Sequence, residues 1–341
     1  MKVLDYSVFR NILLKNNNNI VFPYHVHWDL TYECTNACKH CYLVNISNKY
    51  KKNETKVEQA LAVIDELCAL GCKKVTFSGG DPFLYDGFQA LIQRANMHGL
   101  IITIFSSGQF ISETQAKFIS DNNVFAIEMT VFGDKVIHNN FTRNKNSFDN
   151  LEASIHNLRK YDVHVVIKTT LHKDSYKLYE KLKDRYESLG CEFHAAINIF
   201  HPWEGNEDQI IDVEVTKEQM IDYYKNILRP LPSSSIEMCN AGRMVVAIRP
   251  NGDVSPCNSY YGKVFGNIND CSFKEVWCGI KADEFRNTTK CYPIKQCIEC
   301  SIKEFCDLCP GVCYWGTGKD NEVYTKICRD TQIKKLLYTN K

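Results

Sequence analysis

Short apolar runs alternate with longer amphipathic segments between residues 26 and 199. Short runs of apolar and β-branched residues are typical of buried strands, whereas apolar positions three and four residues apart are typical of helices. The pattern predicts strands at 26–30, 74–77, 100–105, 124–131, 163–170 and 192–199. It predicts helices at 55–70, 87–98, 113–120, 148–161 and 176–189. This alternation predicts an α/β fold with a parallel sheet, curved as a full or partial barrel, whose chemistry lies at the C-terminal ends of the strands.

The composition changes near residue 230. The segment 229–235 holds two prolines and three serines, which is typical of a linker, and eleven of the 17 cysteines follow it. We therefore predict an N-terminal segment at 1–24, a barrel domain at 25–230 and a small cysteine-rich domain at 231–341. Within the last, Asn251-Gly252 predicts a hairpin turn between strands at 244–248 and 253–254.

Charge and composition exclude several classes of protein. Lys+Arg 41 against Asp+Glu 40 gives a net charge of +1, which argues against nucleic acid as a partner, because phosphate binding normally shows as a basic excess. The chain has neither an apolar window of membrane-spanning length nor an initial secretory signal. An odd count of 17 cysteines argues against full disulfide pairing. The sequence thus predicts a cytoplasmic protein whose thiols bind metal and which has no membrane partner.

The first cysteine group directly follows the first predicted strand. Cys34, Cys38 and Cys41 have C-x3-C-x2-C spacing, so three thiolates on one loop can face a common centre. Three ligands on a cubane iron–sulfur cluster would leave one iron open, whereas structural zinc normally takes four protein ligands. His40 could be a fourth ligand, but it lies between two of the cysteines. The alternative is a buried, redox-inert group of thiols.

This spacing, with the aromatic Tyr42 directly after it, resembles the signature of the radical S-adenosylmethionine (radical SAM) superfamily. The resemblance implies that Cys34, Cys38 and Cys41 hold a [4Fe–4S] cluster whose open iron binds S-adenosylmethionine (SAM). It further implies a partial (β/α)6 TIM-like barrel and reductive cleavage of SAM to a 5′-deoxyadenosyl radical.

A second segment strengthens the resemblance. Ser78, Gly79, Gly80, Asp81 and Pro82 follow the second predicted strand and resemble the family's Gly-Gly-Glu-Pro segment, whose backbone receives the methionyl amino group. Glycines allow the main chain to approach a ligand closely. Asp81 departs from the usual Glu, but we expect SAM binding to survive because backbone atoms make the contact. An ordinary β–α turn is the alternative, since these residues are also good turn formers.

Other strand ends agree more weakly with the family. Ser106 and Ser107, before Gly108, are similar to its Thr-Asn-Gly turn near the adenosyl group. Glu128 and Thr130 close the fourth strand, where relatives place polar ribose contacts, and Lys168 ends the fifth strand and could face the SAM carboxylate. The segment 138–148 also resembles a family motif, but two substitutions in it leave no role to carry over. For each position, a solvated or core role is the alternative.

The cysteines after residue 238 form a second pattern, which resembles the SPASM extension of radical SAM enzymes and its two auxiliary iron–sulfur clusters. The resemblance implies one cluster on four thiols and a second on three, with Cys313 the first choice for the remaining ligand and Cys271 and Cys278 in reserve. The first set is Cys297, Cys300, Cys306 and Cys328, and the second is Cys239, Cys257 and Cys309. A zinc module is the alternative, because C-x2-C pairs also suit zinc. Cys68, Cys72 and Cys191 are expected to be buried apolar residues.

The family resemblance implies an enzyme that abstracts a hydrogen atom from a substrate. SPASM-bearing relatives mostly act on peptides, so we expect a peptide or protein substrate that gains a thioether or carbon–carbon crosslink or is oxidised. We also expect an electron donor of the flavodoxin or ferredoxin type. The 33 residues before Cys34 are too few for a leader-binding domain, so a separate protein or the barrel itself would bind a leader. A sulfatase-type protein, a small molecule, and a non-catalytic zinc-binding role remain alternatives.

Overall fold

The computed structural model describes residues 21–44, 46, 53–228, 239–288, 295–320 and 322–339. In the first part of the chain, strands alternate with helices. The strands are β1 (His25–Thr31), β2 (Lys74–Gly79), β3 (Ile101–Ser106), β4 (Ala126–Thr130), β5 (Val165–Thr170) and β6 (Glu192–Ala196). The helices are α1 (Val57–Ala69), α2 (Phe88–Met97), α3 (Glu113–Asp121), α4 (Lys135–Thr142), α5 (Ser147–Lys160) and α6 (Tyr179–Ser188). A further short helix, α7 (Lys217–Asp222), runs into a π-helical turn at Tyr223–Ile227.

The strands form a nine-stranded sheet that continues into the C-terminal part of the chain. Its last three strands are β7 (Val245–Ile248), β8 (Asp253–Ser255) and β9 (Gly266–Asn267). The order is β6-β5-β4-β3-β2-β1-β7-β8-β9, and each neighbouring pair from β6 to β7 is parallel. The sheet ends at β6 on one side and at β9 on the other, so it does not close. The prediction of an α/β partial barrel is confirmed.

Alternating polarity explains the two faces of β1. Val26, Trp28 and Leu30 are buried in the main hydrophobic cluster together with residues of the surrounding helices. His27 and Asp29, which alternate with them, are buried on the other face of the strand, and their side chains lie 3.2 Å apart. Because successive side chains of a strand point to opposite faces, this strand gives the barrel an apolar outer face and a polar interior.

All six predicted strands and all five predicted helices of the barrel are present, with ends shifted by a few residues. Helix α4 was not predicted, because its asparagines have low helix propensity. Asp134 caps it by accepting a hydrogen bond from the backbone N–H of Ile137 at 3.1 Å, and Phe141 is buried one turn further on. A capping residue followed by apolar positions at helical spacing was the signal that could have identified it.

The C-terminal part consists mainly of short helices. They are α8 (Phe273–Trp277), α9 (Ile280–Thr288), α10 (Lys295–Ile298), α11 (Pro310–Thr317) and α12 (Thr325–Thr339). The predicted hairpin is present, because β7 and β8 pair antiparallel around Gly252, whose φ of +85° suits a tight turn. The predicted linker, Cys291 and the predicted boundary at 230/231 lie outside the described residues.

Strand β7 joins the C-terminal part to the barrel. It pairs in parallel with β1, with His25 opposite Val245 and Trp28 opposite Ile248. Phe273 and Trp277 of α8 belong to the same buried hydrophobic cluster as Trp28. The barrel and the cysteine-rich region therefore share one sheet and one core.

Helix α12 packs against the end of the barrel sheet that carries β5 and β6. Ile333 is buried in a second hydrophobic cluster with Leu171, which follows β5, and with Tyr223 and Tyr224 of the π-helical turn. Lys326 donates a hydrogen bond to the backbone oxygen of Ile199 at 2.6 Å and also pairs with Glu214. The last helix of the chain thus holds the segment that follows β6.

The cysteines outside the predicted ligand sets differ in burial. Cys72 and Cys191 are buried, as expected, but Cys68 on α1 is only half-buried, because its helix turns that position partly towards solvent. Among the described residues, no helix combines the length and the apolar character needed to cross a membrane.

Candidate functional site

The loop that carries the first three cysteines is fixed against α4. The backbone N–H of Ala37 donates to the oxygen of Thr142 at 2.9 Å, and that of Lys39 donates to the oxygen of Phe141 at 3.0 Å. Both acceptors lie in the last turn of α4, where carbonyl groups lack partners within the helix. The helix end therefore supplies the hydrogen bonds that set the path of the cysteine loop, which we define as residues 34–41.

The three thiols of the cysteine loop are close enough to interact electrostatically. Desolvation raises the pKa of the Cys38 thiol well above its usual value, and the neighbouring Cys41 and Cys34 raise it further. Although Cys34 as a residue is exposed, desolvation of its thiol raises its pKa to about 11. Such thiols become thiolates readily only beside strong positive charge, as in a metal centre. The donor set thus fits a metal cluster.

A single zinc ion and an iron–sulfur cluster make different demands on their ligands. Structural zinc normally takes four protein ligands, whereas three thiolates on a cubane cluster leave one iron open. The three thiols of the cysteine loop therefore suit a cubane cluster better than a structural zinc ion.

The glycine loop, which we define as residues 78–82, lies beside the cysteine loop at the end of β2. A Cβ atom on Gly79 would lie 2.0 Å from the backbone oxygen of Thr31, and one on Gly80 would lie 2.2 Å from that of Glu33. Gly79 also has a φ of +123°. Only glycine fits this close crossing over the end of β1, and the backbone of the loop is consequently bare.

Asp81, the fourth residue of the glycine loop, is fully buried. Its carboxylate accepts hydrogen bonds from the hydroxyl of Ser106 at 3.0 Å, and from the backbone N–H and hydroxyl of Ser107 at 3.0 and 2.5 Å. It also accepts one from the N–H of Phe83 at 3.2 Å. Burial raises the pKa of Asp81, and these hydrogen bonds oppose that rise. The sequence-based interpretation of this segment, in which backbone atoms contact the cofactor, missed the role of the Asp81 side chain.

A cavity of about 840 Å³ opens over both loops. Glu128 and Lys168 form an ion pair in its wall, and the Lys168 amino group lies 4.1 Å from the centre of the Phe105 ring. Thr130 and Thr170 add hydroxyl groups at the ends of β4 and β5. The strand ends therefore contribute charged and hydroxyl groups to the cavity wall, as expected for the C-terminal ends of barrel strands.

The cavity collects most of the predicted barrel-site residues. All three cysteines of the cysteine loop line it, together with eight predicted cofactor-binding residues, Ser78, Gly79, Gly80, Ser106, Ser107, Glu128, Thr130 and Lys168. Asp81 and Pro82 are not in the wall but are buried next to it. His40, which the sequence offered as a possible fourth ligand, also lines the cavity. The sequence did not identify several other lining residues, among them Phe105, Phe132, Asn198, Phe200 and Trp315. These five carry no motif of their own, so only the fold reveals them.

An aromatic group covers the side of the cavity that faces the C-terminal part. The ring of Trp203 lies 4.7 Å from that of Tyr42 and is stacked on Tyr261 at 4.5 Å. Trp315, on α11, lies 5.3 Å from Phe200, and its indole N–H donates to the oxygen of His201 at 3.0 Å. The cysteine-rich region therefore contributes directly to the wall of the barrel cavity.

Four C-terminal thiols come together from three segments of the chain. Cys297 lies on α10 and Cys328 on α12, while Cys300 and Cys306 flank the short turn between α10 and α11. Burial raises the pKa of Cys297, and Cys328, Cys306 and Cys300 raise it further. This is the first predicted auxiliary set.

A second thiol group forms next to the hairpin. Burial raises the pKa of Cys257 to about 12, and the neighbouring Cys309 and Cys239 contribute to that rise. Cys313 is buried one helical turn after Cys309, and its thiol interacts with Cys309, Cys297 and Cys306. Cys313 thus lies between the two groups.

The two reserve ligands lie at the surface. Cys271 and Cys278 are exposed at the two ends of α8, and Cys278 interacts electrostatically with Arg286. Cys313 therefore contacts the second thiol group, whereas Cys271 and Cys278 lie at the surface.

Comparison with protein families decides the class of the barrel. Residues 28–184 match the model of the radical SAM superfamily, and this span begins in β1 and contains both the cysteine loop and the glycine loop. The barrel of this chain therefore contains a radical SAM domain. Residues 239–301 match the SPASM model, described as an iron–sulfur cluster-binding domain. The radical SAM domain binds a [4Fe–4S] cluster and SAM, and the SPASM domain binds auxiliary iron–sulfur clusters.

Individual relatives of this radical SAM enzyme differ in their reactions. The chain is 25% identical over 318 residues to the mycofactocin maturase MftC of Mycolicibacterium smegmatis, covering 85% of this chain and 78% of MftC. It is 23% identical over 330 residues to an AdoMet-dependent heme synthase of Methanosarcina barkeri, covering 87% and 93%. Streptococcus suis SuiB bound to its precursor peptide SuiA has the same fold, with a TM-score of 0.69, 15% identity and coverage of 96% and 82%.

Proposed function

We propose that this radical SAM enzyme modifies a peptide or protein substrate. The observation that carries the proposal is the cavity, in which the cysteine loop and the glycine loop face a space of about 840 Å³ bounded by an aromatic wall. That space is within the range of pockets that enclose small ligands, and its open side leaves room for a substrate segment. The likeness to a mycofactocin maturase over 85% of the chain supports the same assignment.

The residues of the barrel site have distinct proposed roles. Cys34, Cys38 and Cys41 would hold the cluster that binds SAM, and the bare backbone of Gly79 and Gly80 would receive the methionyl amino group. Lys168 would bind the SAM carboxylate from within its ion pair with Glu128. When bound, the cluster would donate one electron to SAM, and the pair would supply the chemistry that removes a hydrogen atom from the substrate.

The protein itself would orient the substrate and exclude water. Trp315 and Phe200 line the cavity, and Trp203 and Tyr261 close the space behind Tyr42. Aromatic side chains offer large contact area at low conformational entropy cost, so they suit the binding of a peptide segment. The product would carry a thioether or carbon–carbon crosslink, or an oxidised side chain.

We propose two auxiliary clusters for the SPASM domain. Cys297, Cys300, Cys306 and Cys328 would bind one of them. Cys239, Cys257, Cys309 and Cys313 would bind the other. The electrostatic contacts of Cys297 and of Cys257 lie within their own sets and support this division, and among the thiols that Cys313 contacts in both sets Cys309 contributes most. An electron donor of the flavodoxin or ferredoxin type would reduce the enzyme.

Modification of a heme precursor is the second candidate, because the chain spans 93% of the heme synthase relative. Such precursors carry several carboxylates, which normally require several cationic partners. Among the described residues, Lys168 is the one Lys or Arg in the cavity wall, and it is already paired with Glu128. This charge distribution favours the peptide over the porphyrin.

Anaerobic reconstitution tests the proposal. The enzyme is incubated with SAM, dithionite and either short peptides encoded near its gene or iron–coproporphyrin III, and products are identified by mass spectrometry. We expect 5′-deoxyadenosine and a mass change confined to a peptide, with deuterium moving from a labelled peptide to 5′-deoxyadenosine. Turnover of the porphyrin alone, or zinc without sulfide in the purified protein, would contradict the proposal.

A further inference from the structure

The carboxylate of Asp81 joins the loops at the ends of β2 and β3, and both loops line the cavity. We propose that Asp81 is a positioning residue that holds the glycine loop and the serine turn, residues 106–108, as one rigid wall. The positions of its partners, Ser106 and Ser107, accommodate the short side chain of aspartate but not the longer side chain of glutamate. The inference rests on our proposal that the glycine loop receives SAM.

Asp81 connects three strand ends. Its backbone N–H donates to the oxygen of Glu33, directly after β1, at 2.9 Å. Its side chain reaches across to Ser106 and Ser107 after β3, at 2.5 to 3.0 Å from the nearest carboxylate oxygen. Asp81 itself follows β2. A change in the length or the charge of this side chain would therefore alter the relative position of all three ends.

The carboxylate of Asp81 is shielded from water, whereas its partner Ser107 is half-buried and lines the cavity. Asp81 is 0% exposed, and Ser106 is also buried. Hydrogen bonds to a carboxylate are stronger than those between neutral groups, and removal of the acceptor would leave buried donors unsatisfied. The glycine loop would then lose the contact that fixes it against the serine turn.

The distances leave no room for glutamate. The Ser107 hydroxyl lies 2.5 Å from the carboxylate, and a glutamate at residue 81 would add one methylene between this contact and the backbone. The family's usual Glu would thus push the two loops apart in this chain. Loss of the Ser107 hydroxyl would free space for the longer side chain, so positions 81 and 107 should be energetically coupled.

The serine hydroxyls have a consequence for the cofactor site. Both hydroxyls donate to Asp81, so Ser106 and Ser107 contribute to the cavity wall through their position. Gly108, next in the turn, donates its N–H to the Ser106 oxygen at 3.0 Å. The turn is therefore internally fixed once Asp81 holds its first residue.

The test measures SAM affinity by isothermal titration calorimetry on anaerobically reconstituted full-length enzyme. The variants are Asp81→Glu, Ser107→Ala, the double variant, and Asp86→Asn as a matched control with an exposed carboxylate. We expect Asp81→Glu to weaken SAM binding about tenfold or more, Ser107→Ala about threefold, and the double variant to bind within about threefold of the wild type. Asp86→Asn should bind like the wild type.

Iron content and the thermal unfolding midpoint are measured on the same samples. If Asp81→Glu does not fold, the double variant decides the question. A double variant that folds and binds SAM supports the proposal. A double variant that folds but does not bind SAM overturns it. The proposal is also overturned if Asp81→Glu binds SAM with wild-type affinity, or if the double variant binds SAM no better than Asp81→Glu does. Because no peptide is present, failure of the peptide modification assay leaves this measurement unaffected.

Discussion

The two cysteine-bearing regions of the molecule are built in different ways. The cysteine loop spans eight residues after a buried strand, and α4 supplies hydrogen bonds to its backbone at 2.9 and 3.0 Å. The C-terminal thiols are spread from Cys239 to Cys328, and they lie on either side of a hairpin, within helices of four to fifteen residues and in the turns between those helices. The first region is held by its scaffold, whereas the second brings distant segments together around the thiols themselves.

This difference implies different dependence on metal. Short helices are marginal without tertiary packing, and metal ligation that joins such segments contributes directly to folding. The barrel, in contrast, has a large apolar core, which also includes residues of β7, β8, α8 and α9. We expect loss of metal to abolish the chemistry of the barrel and to loosen the structure of residues 295–339, which lie outside this core.

The largest effect is expected from replacing Cys34, Cys38 and Cys41 with Ala. The triple variant should lose about four irons per chain and all SAM cleavage, since no other thiols serve the SAM-binding cluster. Its barrel should keep its circular dichroism spectrum. Iron analysis and 5′-deoxyadenosine chromatography measure the effect. Cys68→Ala is the control, and residual SAM cleavage in the triple variant would contradict the assignment.

A large but regional effect is expected from Cys328→Ala. This change should remove about four other irons and expose residues 295–339 to protease, while the barrel stays resistant. Limited proteolysis with mass spectrometry locates the cuts. Cys271→Ala, an exposed thiol outside both sets, should change neither iron content nor cleavage. Equal loosening of the barrel in Cys328→Ala would remove the distinction between the regions.

Mild acid should destabilise the barrel more than the C-terminal part, which is the reverse of the effect of metal loss. All ten histidines precede residue 239, and burial lowers the pKa of His25 to about 3 and that of His138 to about 4. Below pH 6.5 the imidazoles of the unfolded chain bind protons, whereas these buried imidazoles stay neutral in the folded chain. Their contribution to barrel stability therefore falls as the pH falls below 6.5 and does not change above pH 6.5. At pH 5 the expected loss is about 2 kcal/mol for His25.

Thermal unfolding of the wild type and of His25→Gln at pH 7.5 and pH 5 measures this effect. The drop in the unfolding midpoint should be smaller in His25→Gln, because that variant has one buried imidazole fewer. His156→Gln, an exposed histidine on α5, should behave like the wild type. An unchanged drop in His25→Gln would show that His25 does not contribute to the acid sensitivity.

The smallest effect is expected at the junction of the regions, from Lys326→Met. The side chain of Lys326 is 10% exposed, and its loss leaves Ile199 and Glu214 without this partner. We expect the free energy of local opening of the segment 197–216, measured by hydrogen exchange, to fall by about 1 to 2 kcal/mol. Lys319→Met, from an exposed pair, should cost less than about 0.5 kcal/mol. Equal effects of the two variants would argue against a junction role.

Local signals explain what the sequence could predict. Apolar periodicity identified the six barrel strands and their helices, and Asn251-Gly252 identified the hairpin, because each signal lies within one element. Cysteine spacing identified the cysteine loop, whose three thiols all line the cavity.

Contacts between distant residues explain what the sequence could not predict. No local pattern indicates that Val245 pairs with His25, or that Trp315 reaches the wall of the barrel cavity. The contact of Asp81 with Ser107 spans 26 residues and depends on how two loops meet. Helix α4 was missed for a different reason, namely the low propensity of Asn139 and Asn140.

The position of β1 in the sheet has a consequence for synthesis of the chain. This strand lies between β2 and β7, whose partner residues are separated from it by about 50 and 220 positions. During translation, one edge of an apolar strand must therefore stay unpaired until residue 248 has left the ribosome. Long-range parallel pairing is slow, and an open strand edge favours aggregation. We expect the nascent chain to need a chaperone, and truncated chains that end before β7 to be recovered mainly as aggregates.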